Sequence, residues 1–123
     1  MAAILIVDDS ETLRSQVRNI LEGAGFEVVE ACNGSDGLNK LRANRGVTLV
    51  LCDVNMPEMD GMSMCKMVHV DESINKIPIV MLTTEASIEL KKAGKEAGVV
   101  GWMTKPVDQN RLLSAVQKIV GSK

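Results

Sequence analysis

Five short apolar runs alternate along the chain with five longer stretches in which apolar residues recur at helical spacing. The runs are AILIV at 3–7, FEVVE at 26–30, VTLVLC at 47–52, IPIVML at 77–82 and VVGWM at 99–103. They are β-branched or aliphatic, and the third and fourth are nearly unbroken, as in strands covered on both faces. The second carries Glu27 and Glu30, and the fifth carries Gly101 and the single Trp, so both read as edge strands. Between them, Ser10 can cap a helix that turns Leu13, Val17, Ile20 and Leu21 inward and stops at Gly23 and Gly25. Asp108 can cap a last helix facing Leu112, Leu113, Val116, Ile119 and Val120 to the core. Helices are also expected over 61–70 and 87–97. The segment 34–44 is the poorest helix, because Gly34 and Gly37 lower its propensity. Strand and helix alternating five times predict an α/β domain with a parallel sheet covered on both faces. The compact solution is a flavodoxin-like, doubly wound five-stranded sheet of order 2-1-3-4-5 with five helices, an order taken over from known sheets of this size.

In such a sheet every strand ends at one edge, and ligands sit where the strand order reverses, between the first and third strands. The residues following the strands are then telling. The first run ends on Asp8 and Asp9, the third on Asp53, the fourth on Thr83 and Thr84, and the fifth on Lys105 followed by Pro106. Two like charges 4 Å apart repel by about 1 kcal/mol in water and about 4 kcal/mol at an effective dielectric of 20. Three carboxylates therefore call for compensation by Lys105 or by a hard divalent cation. Mg²⁺ takes oxygen ligands and suits one or two carboxylates plus a phosphate. A carboxylate can also attack a phosphoryl group to give an aspartyl phosphate, with the metal and lysine neutralising the phosphoryl oxygens. Acids at the strand ends combine a rigid backbone with access to a phosphodonor.

Composition narrows the classes. A length of 123 residues fits one domain spanning 1–123, 46% apolar residues suffice for a core, and a net charge of −2 gives no basic surface for nucleic acid. No apolar stretch approaches a membrane span, and MAAILIVDD meets acids too early for a signal peptide, so a cytoplasmic protein is expected. Cys32, Cys52 and Cys65 form no C-x-x-C pair and read as small hydrophobes in a reducing compartment. Met56, Met59, Met62, Met64 and Met67 read as core filling on and near one helix. His69, the only histidine, reads as a half-exposed helix residue.

Taken together, ILIVDDS, LVLCDVNMPEMDGM, PIVMLTTEAS and GWMTKP resemble the receiver domains of bacterial two-component response regulators. The resemblance covers essentially the whole chain. It implies that Asp53 is the phosphoacceptor. Asp8, Asp9 and Asp53, with the Asn55 backbone carbonyl, would hold Mg²⁺, which Mn²⁺ could replace. Thr83 would be the switch hydroxyl, with Thr84 beside it, and Lys105 the phosphate-contacting lysine, its bond to Pro106 cis. Pro57 and Gly61 would belong to the loop after the acceptor, and Asn55 and Glu85 would tune dephosphorylation. LTTEA, GKEAG and GW before TKP are similar to stand-alone, CheY-like chemotaxis receivers. A monomer is expected that is not an enzyme but takes phosphate from a histidine kinase and binds a target such as the flagellar motor switch. Lys91, Lys92, Lys95 and Trp102 would lie on that partner surface. Trp102 departs from the Tyr or Phe usual in the family, which leaves open whether the ring rotates on activation.

Other classes fit less well. Aspartyl-phosphate phosphatases carry a second acid two residues after the nucleophile, where this chain has Asn55. A flavodoxin-like electron carrier needs a phosphate loop where DDSETLR places two acids. A phosphorelay intermediate or a phosphate sink is not distinguished from a motor-binding switch by sequence.

Overall fold

The computed structural model describes residues 3–54, 56, 59–84 and 87–121. Its elements are β1 (Ala3–Val7), α1 (Glu11–Gly23), β2 (Glu27–Ala31), α2 (Gly34–Ala43), β3 (Val47–Asp53), α3 (Gly61–Val70), β4 (Ile79–Thr83), α4 (Ile88–Glu96), β5 (Val99–Thr104) and α5 (Gln109–Val120). The five strands form one parallel sheet of order β2-β1-β3-β4-β5, so the polar β2 and the glycine-containing β5 are the edges.

Alternate residues of each strand feed two cores. On one face Ile4, Ile6, Leu49, Leu51, Val80 and Leu82 pack with Val17 and Leu21 of α1 and with Leu112 and Val116 of α5. On the other, Leu5, Val7, Val50, Cys52 and Met81 pack with Leu38 and Leu41 of α2, Met64, Cys65 and Val68 of α3, and Leu90 of α4. All residues of β1 and β4 are buried. Truncating one of these aliphatic side chains to Ala costs about 2–5 kcal/mol.

Element edges differ from the sequence expectation where local chemistry decides them. Pro78 has no N–H to give to the ladder, so β4 begins at Ile79 rather than 77, although the Pro78 carbonyl still accepts from Val50 N–H. Phe26 lies before β2 and joins the α1–α5 core. β3 runs on to Asp53 and β5 to Thr104. Ser10, Ser87 and Asp108 cap α1, α4 and α5 by accepting from the N–H three residues on. Asn33 caps α2 and Asp60 caps α3 in the same way, and these two and Ser87 were not anticipated. Gly23 stays helical, and Gly25 turns the chain at φ +94°. α2 forms despite its glycines because packing requires them. A Cβ on Gly34 would overlap Met59, and one on Gly37 would lie 3.0 Å from both Met64 and Val7. The helix gains a close approach to α3 that a better helix former would block.

Candidate functional site

Strand register brings the site together. Val7 pairs with Cys52, so Asp8 and Asp53, each the next residue, stand side by side at the carboxyl edge of the central strands. Asp53 pairs with Leu82, and Thr83 with Thr104, so Thr83 and Lys105 lie one step further at the same edge. Gly61 makes the Asp53 end possible. A Cβ there would collide with the Asp53 backbone oxygen, while the Gly61 N–H donates to Val54 O at 3.0 Å. α3 can thus start against the end of β3.

One carboxylate oxygen from each of Asp8, Asp9 and Asp53 lies within 4.8 Å of the others. Asp8 is fully buried, Asp53 nearly so, and Asp9 exposed. Lys105 Nζ donates to Asp8 Oδ2 at 3.1 Å and to Asp53 Oδ1 at 2.9 Å. Its own N–H donates to Thr83 O at 2.7 Å, which holds the lysine over the acids, and the Lys105–Pro106 bond is cis. Burial raises the Asp8 pKa and the Asp53 charge adds to that, against hydrogen bonds from Ser10 N–H and Lys105. For Lys105, burial by itself would lower the pKa, but the hydrogen bonds to Asp53 and Asp8 outweigh it and the net shift is upward. The ammonium is therefore firmly charged, a built-in counterion of the cluster.

Among the described residues, the acid and potential metal-binding side chains gathered here are the three carboxylates. That set suits a hard divalent cation better than zinc or copper, which favour imidazole or thiolate. Thr83 is buried beside the cluster, and Thr84 is exposed where the chain leaves β4. Asn55, Pro57 and Glu85 lie outside the described residues. Lys91, Lys92 and Lys95 are exposed on α4. Trp102 is half-buried, in register with Met81, with its indole against Gly94 of α4. His69 is exposed, and its ring lies against Gly98 in the turn between α4 and β5. Met64 is buried, Met56, Met59 and Met62 are half-buried against the same core, and Met67 is exposed. Cys52 and Cys65 are buried thiols whose sulfurs contact Met64 and Met81.

Sequence reasoning missed two features around this site. Gly94 provides the space for the indole, a role visible only once α4 is laid on β5. Arg14 donates from Nη1 to Asp8 O at 2.7 Å and from Nε to Glu30 Oε1 at 3.0 Å. The available signal was the pair Arg14 and Arg18, one helical turn apart, opposite a strand that carries Glu30.

Comparison with known proteins is consistent with this geometry. The family model for the response regulator receiver domain matches residues 4–117. The chain is 36% identical over 120 residues to the chemotaxis protein CheY1 of Helicobacter pylori, covering 97% of each. It is 35% identical over 120 residues to protein PilH of Pseudomonas aeruginosa, covering 98% of each. Among solved structures, chemotaxis protein CheY4 of Vibrio cholerae superposes with a TM-score of 0.92 at 40% identity, over 97% of this chain and 98% of that one.

Proposed function

This chain belongs to the response regulator receiver domain family, whose members act in phosphorylation-dependent signalling, and from that premise we propose that Asp53 is its phosphoacceptor. The observation that carries the reading is Lys105 bridging the buried Asp8 and Asp53 at the edge where the strand order reverses. A carboxylate oxygen of Asp53 attacks the phosphorus of a phosphohistidine. The new O–P bond forms as the P–N bond breaks, and the imidazole leaves with the electron pair. The family's divalent cation, Mg²⁺ or in its place Mn²⁺, would be held by Asp8, Asp9, Asp53 and the Asn55 carbonyl and would neutralise charge on the phosphoryl oxygens. Lys105 supplies a fixed positive charge to the same oxygens, and the Thr83 hydroxyl donates to one of them. Asn55 and Glu85 tune hydrolysis of the acyl phosphate, and the protein turns over no substrate of its own.

Phosphorylation then biases two states of the α4–β5–α5 face. Moving an equilibrium from 1:99 to 99:1 takes about 5.5 kcal/mol of differential interaction. Charge-assisted hydrogen bonds supply about 1.5–3 kcal/mol each, so new bonds from Thr83 and neighbouring amides come close. Lys105 adds less, since it already pairs with Asp53. A chemotaxis-type kinase as donor and a motor-switch-like target are supported by the chemotaxis proteins among the relatives. The exposed Lys91, Lys92 and Lys95 and the exposed Ile88 and Val100 on α4 and β5 offer a contact surface. The test is transfer from a histidine kinase carrying labelled phosphohistidine. Label should move to the wild-type protein and not to Asp53→Asn. Label retained on the kinase by folded wild-type protein and every kinase tried would count against the reading, and onward transfer to a second histidine protein would identify a relay.

A further inference from the structure

We propose that Arg14, anchored by Glu30, is a positioning residue for the acid pair, setting the affinity of the site for its divalent cation. The inference rests on the metal-dependent receiver reading above and concerns residues outside the acid cluster itself.

Asp8 is held at every polar atom. Its N–H donates to Ala31 O at 3.1 Å, Oδ1 accepts from Ser10 N–H at 2.8 Å, Oδ2 accepts from Lys105 Nζ, and its carbonyl accepts from Arg14 Nη1 at 2.7 Å. Asp9 is different. Its side chain is exposed and makes no hydrogen bond or ion pair among the described residues. The backbone is therefore what fixes where its Cα–Cβ bond points, and the carboxylate reaches the site from there through its rotamers. The Asp8 carbonyl lies in the planar peptide unit that contains the Asp9 N and Cα. Fixing that oxygen fixes the plane from which the Asp9 side chain departs, and Arg14 is the side chain that fixes it.

Arg14 is in turn held from the sheet. Glu30 on β2 accepts from Arg14 Nε with Oε1 and from Arg18 Nη1 with Oε2, and its backbone carbonyl accepts from Lys40 Nζ at 3.1 Å. The two nitrogens Arg14 uses belong to one rigid guanidinium, so β2 aims the donor that orients the β1–α1 turn. Burial by itself would raise the Glu30 pKa, but the hydrogen bonds from Arg18 and Arg14 bring it below the usual value, so the anchor stays ionised at neutral pH. Outer-shell partners of this kind are typically worth 10–100-fold in metal affinity.

The sign of the effect separates positioning from charge. A guanidinium close to the acids repels a divalent cation, so removing it would tighten binding if charge alone mattered. If Arg14 positions the pair, removing it weakens binding. The experiment is calorimetric titration of Mg²⁺ into the unphosphorylated full chain at pH 8, with circular dichroism confirming the fold. Arg14→Met should bind Mg²⁺ about tenfold or more weakly than wild type. Arg14→Lys, which keeps the charge but cannot span both oxygens, should fall between. Arg14→Gln, a milder change should Arg14→Met fail to fold, also removes the positive charge and should bind several-fold more weakly, roughly the lower end of that range. Folded Arg14→Met, or Arg14→Gln in its stead, that binds Mg²⁺ as tightly as wild type or tighter would overturn the positioning role while leaving the receiver reading intact. Wild-type protein that binds no Mg²⁺ would overturn the metal reading instead.

Discussion

Gly94→Ala is the substitution whose outcome depends most directly on how the indole is seated. An alanine Cβ at this position would overlap Trp102 Cζ2 and lie 3.1 Å from Cη2 and 3.3 Å from Cε2. Carbon atoms rest about 3.5–4.0 Å apart. Forcing extra carbon into a packed contact costs about 1–3 kcal/mol. In a helix interior the same change contributes about 0.8–1 kcal/mol in favour of Ala. The net expectation in the wild-type background is between roughly zero and 2 kcal/mol of destabilisation. With Trp102→Ala the clash is gone, and Gly94→Ala should stabilise by about 1 kcal/mol. The coupling between the two positions is then about 1–3 kcal/mol, read by urea unfolding followed by circular dichroism. Trp102 is the only tryptophan, so its fluorescence reports where the ring goes. If α4 holds firm, the indole swings outward, emission shifts to the red and acrylamide quenches it faster. Equal stabilisation by Gly94→Ala in both backgrounds, with emission unmoved, would refute the seating of the indole on α4.

Other consequences follow from the charged and sulfur groups. Lys105→Met leaves Asp8 and Asp53 facing each other without their shared cation. Stability should fall by about 2–3 kcal/mol, somewhat below the cost of breaking a fully buried pair because Lys105 keeps partial contact with solvent; adding Asp53→Asn should restore most of it in a denaturant series. The lowered pKa of Glu30, where the hydrogen bonds of Arg18 and Arg14 outweigh burial, contributes stability that is present above the ordinary Glu value and lost as pH falls through the folded one. The stability gap between wild type and Glu30→Gln should therefore persist at pH 7 and close in acid, and a gap independent of pH would contradict that linkage. Burial raises the Cys52 thiol well above its usual value and pushes Cys65 up to about 12, whereas Cys32 is exposed. A thiol reagent should label one cysteine in the native protein and three after denaturation, and rapid native labelling of Cys52 or Cys65 would mean that the core opens.

The sheet was legible because buried parallel strands leave nearly pure apolar runs, and because β2 and β5 carry the polar and glycine residues that mark edges. The acid–lysine cluster was legible for a related reason. Asp8, Asp53 and Thr83 each directly follow such a run and Lys105 comes one residue later, and a parallel sheet brings all run ends to one side. What stayed hidden depends on contacts between elements. α2 read poorly because Gly34 and Gly37 oppose helix formation locally, yet Met59 and Met64 leave room for nothing larger. Gly94 drew no notice in the sequence, and its role appears only with the indole of Trp102 seated over it. Glu30 read as an edge-strand charge, which it is, but its two arginine partners come from α1, 16 and 12 residues away in sequence. Long-range ion pairs leave no periodic trace for a sequence pattern to show.

The most direct test of the central claim is the intact mass of the protein after incubation with Mg²⁺ and a small acyl-phosphate donor. Asp53→Asn and a metal-free sample run alongside. A single phosphoryl adduct that forms on wild-type protein and is lost in both controls is the expected result. Folded wild-type protein that gains no phosphoryl group with Mg²⁺ present, or Asp53→Asn that gains one as readily, would contradict it.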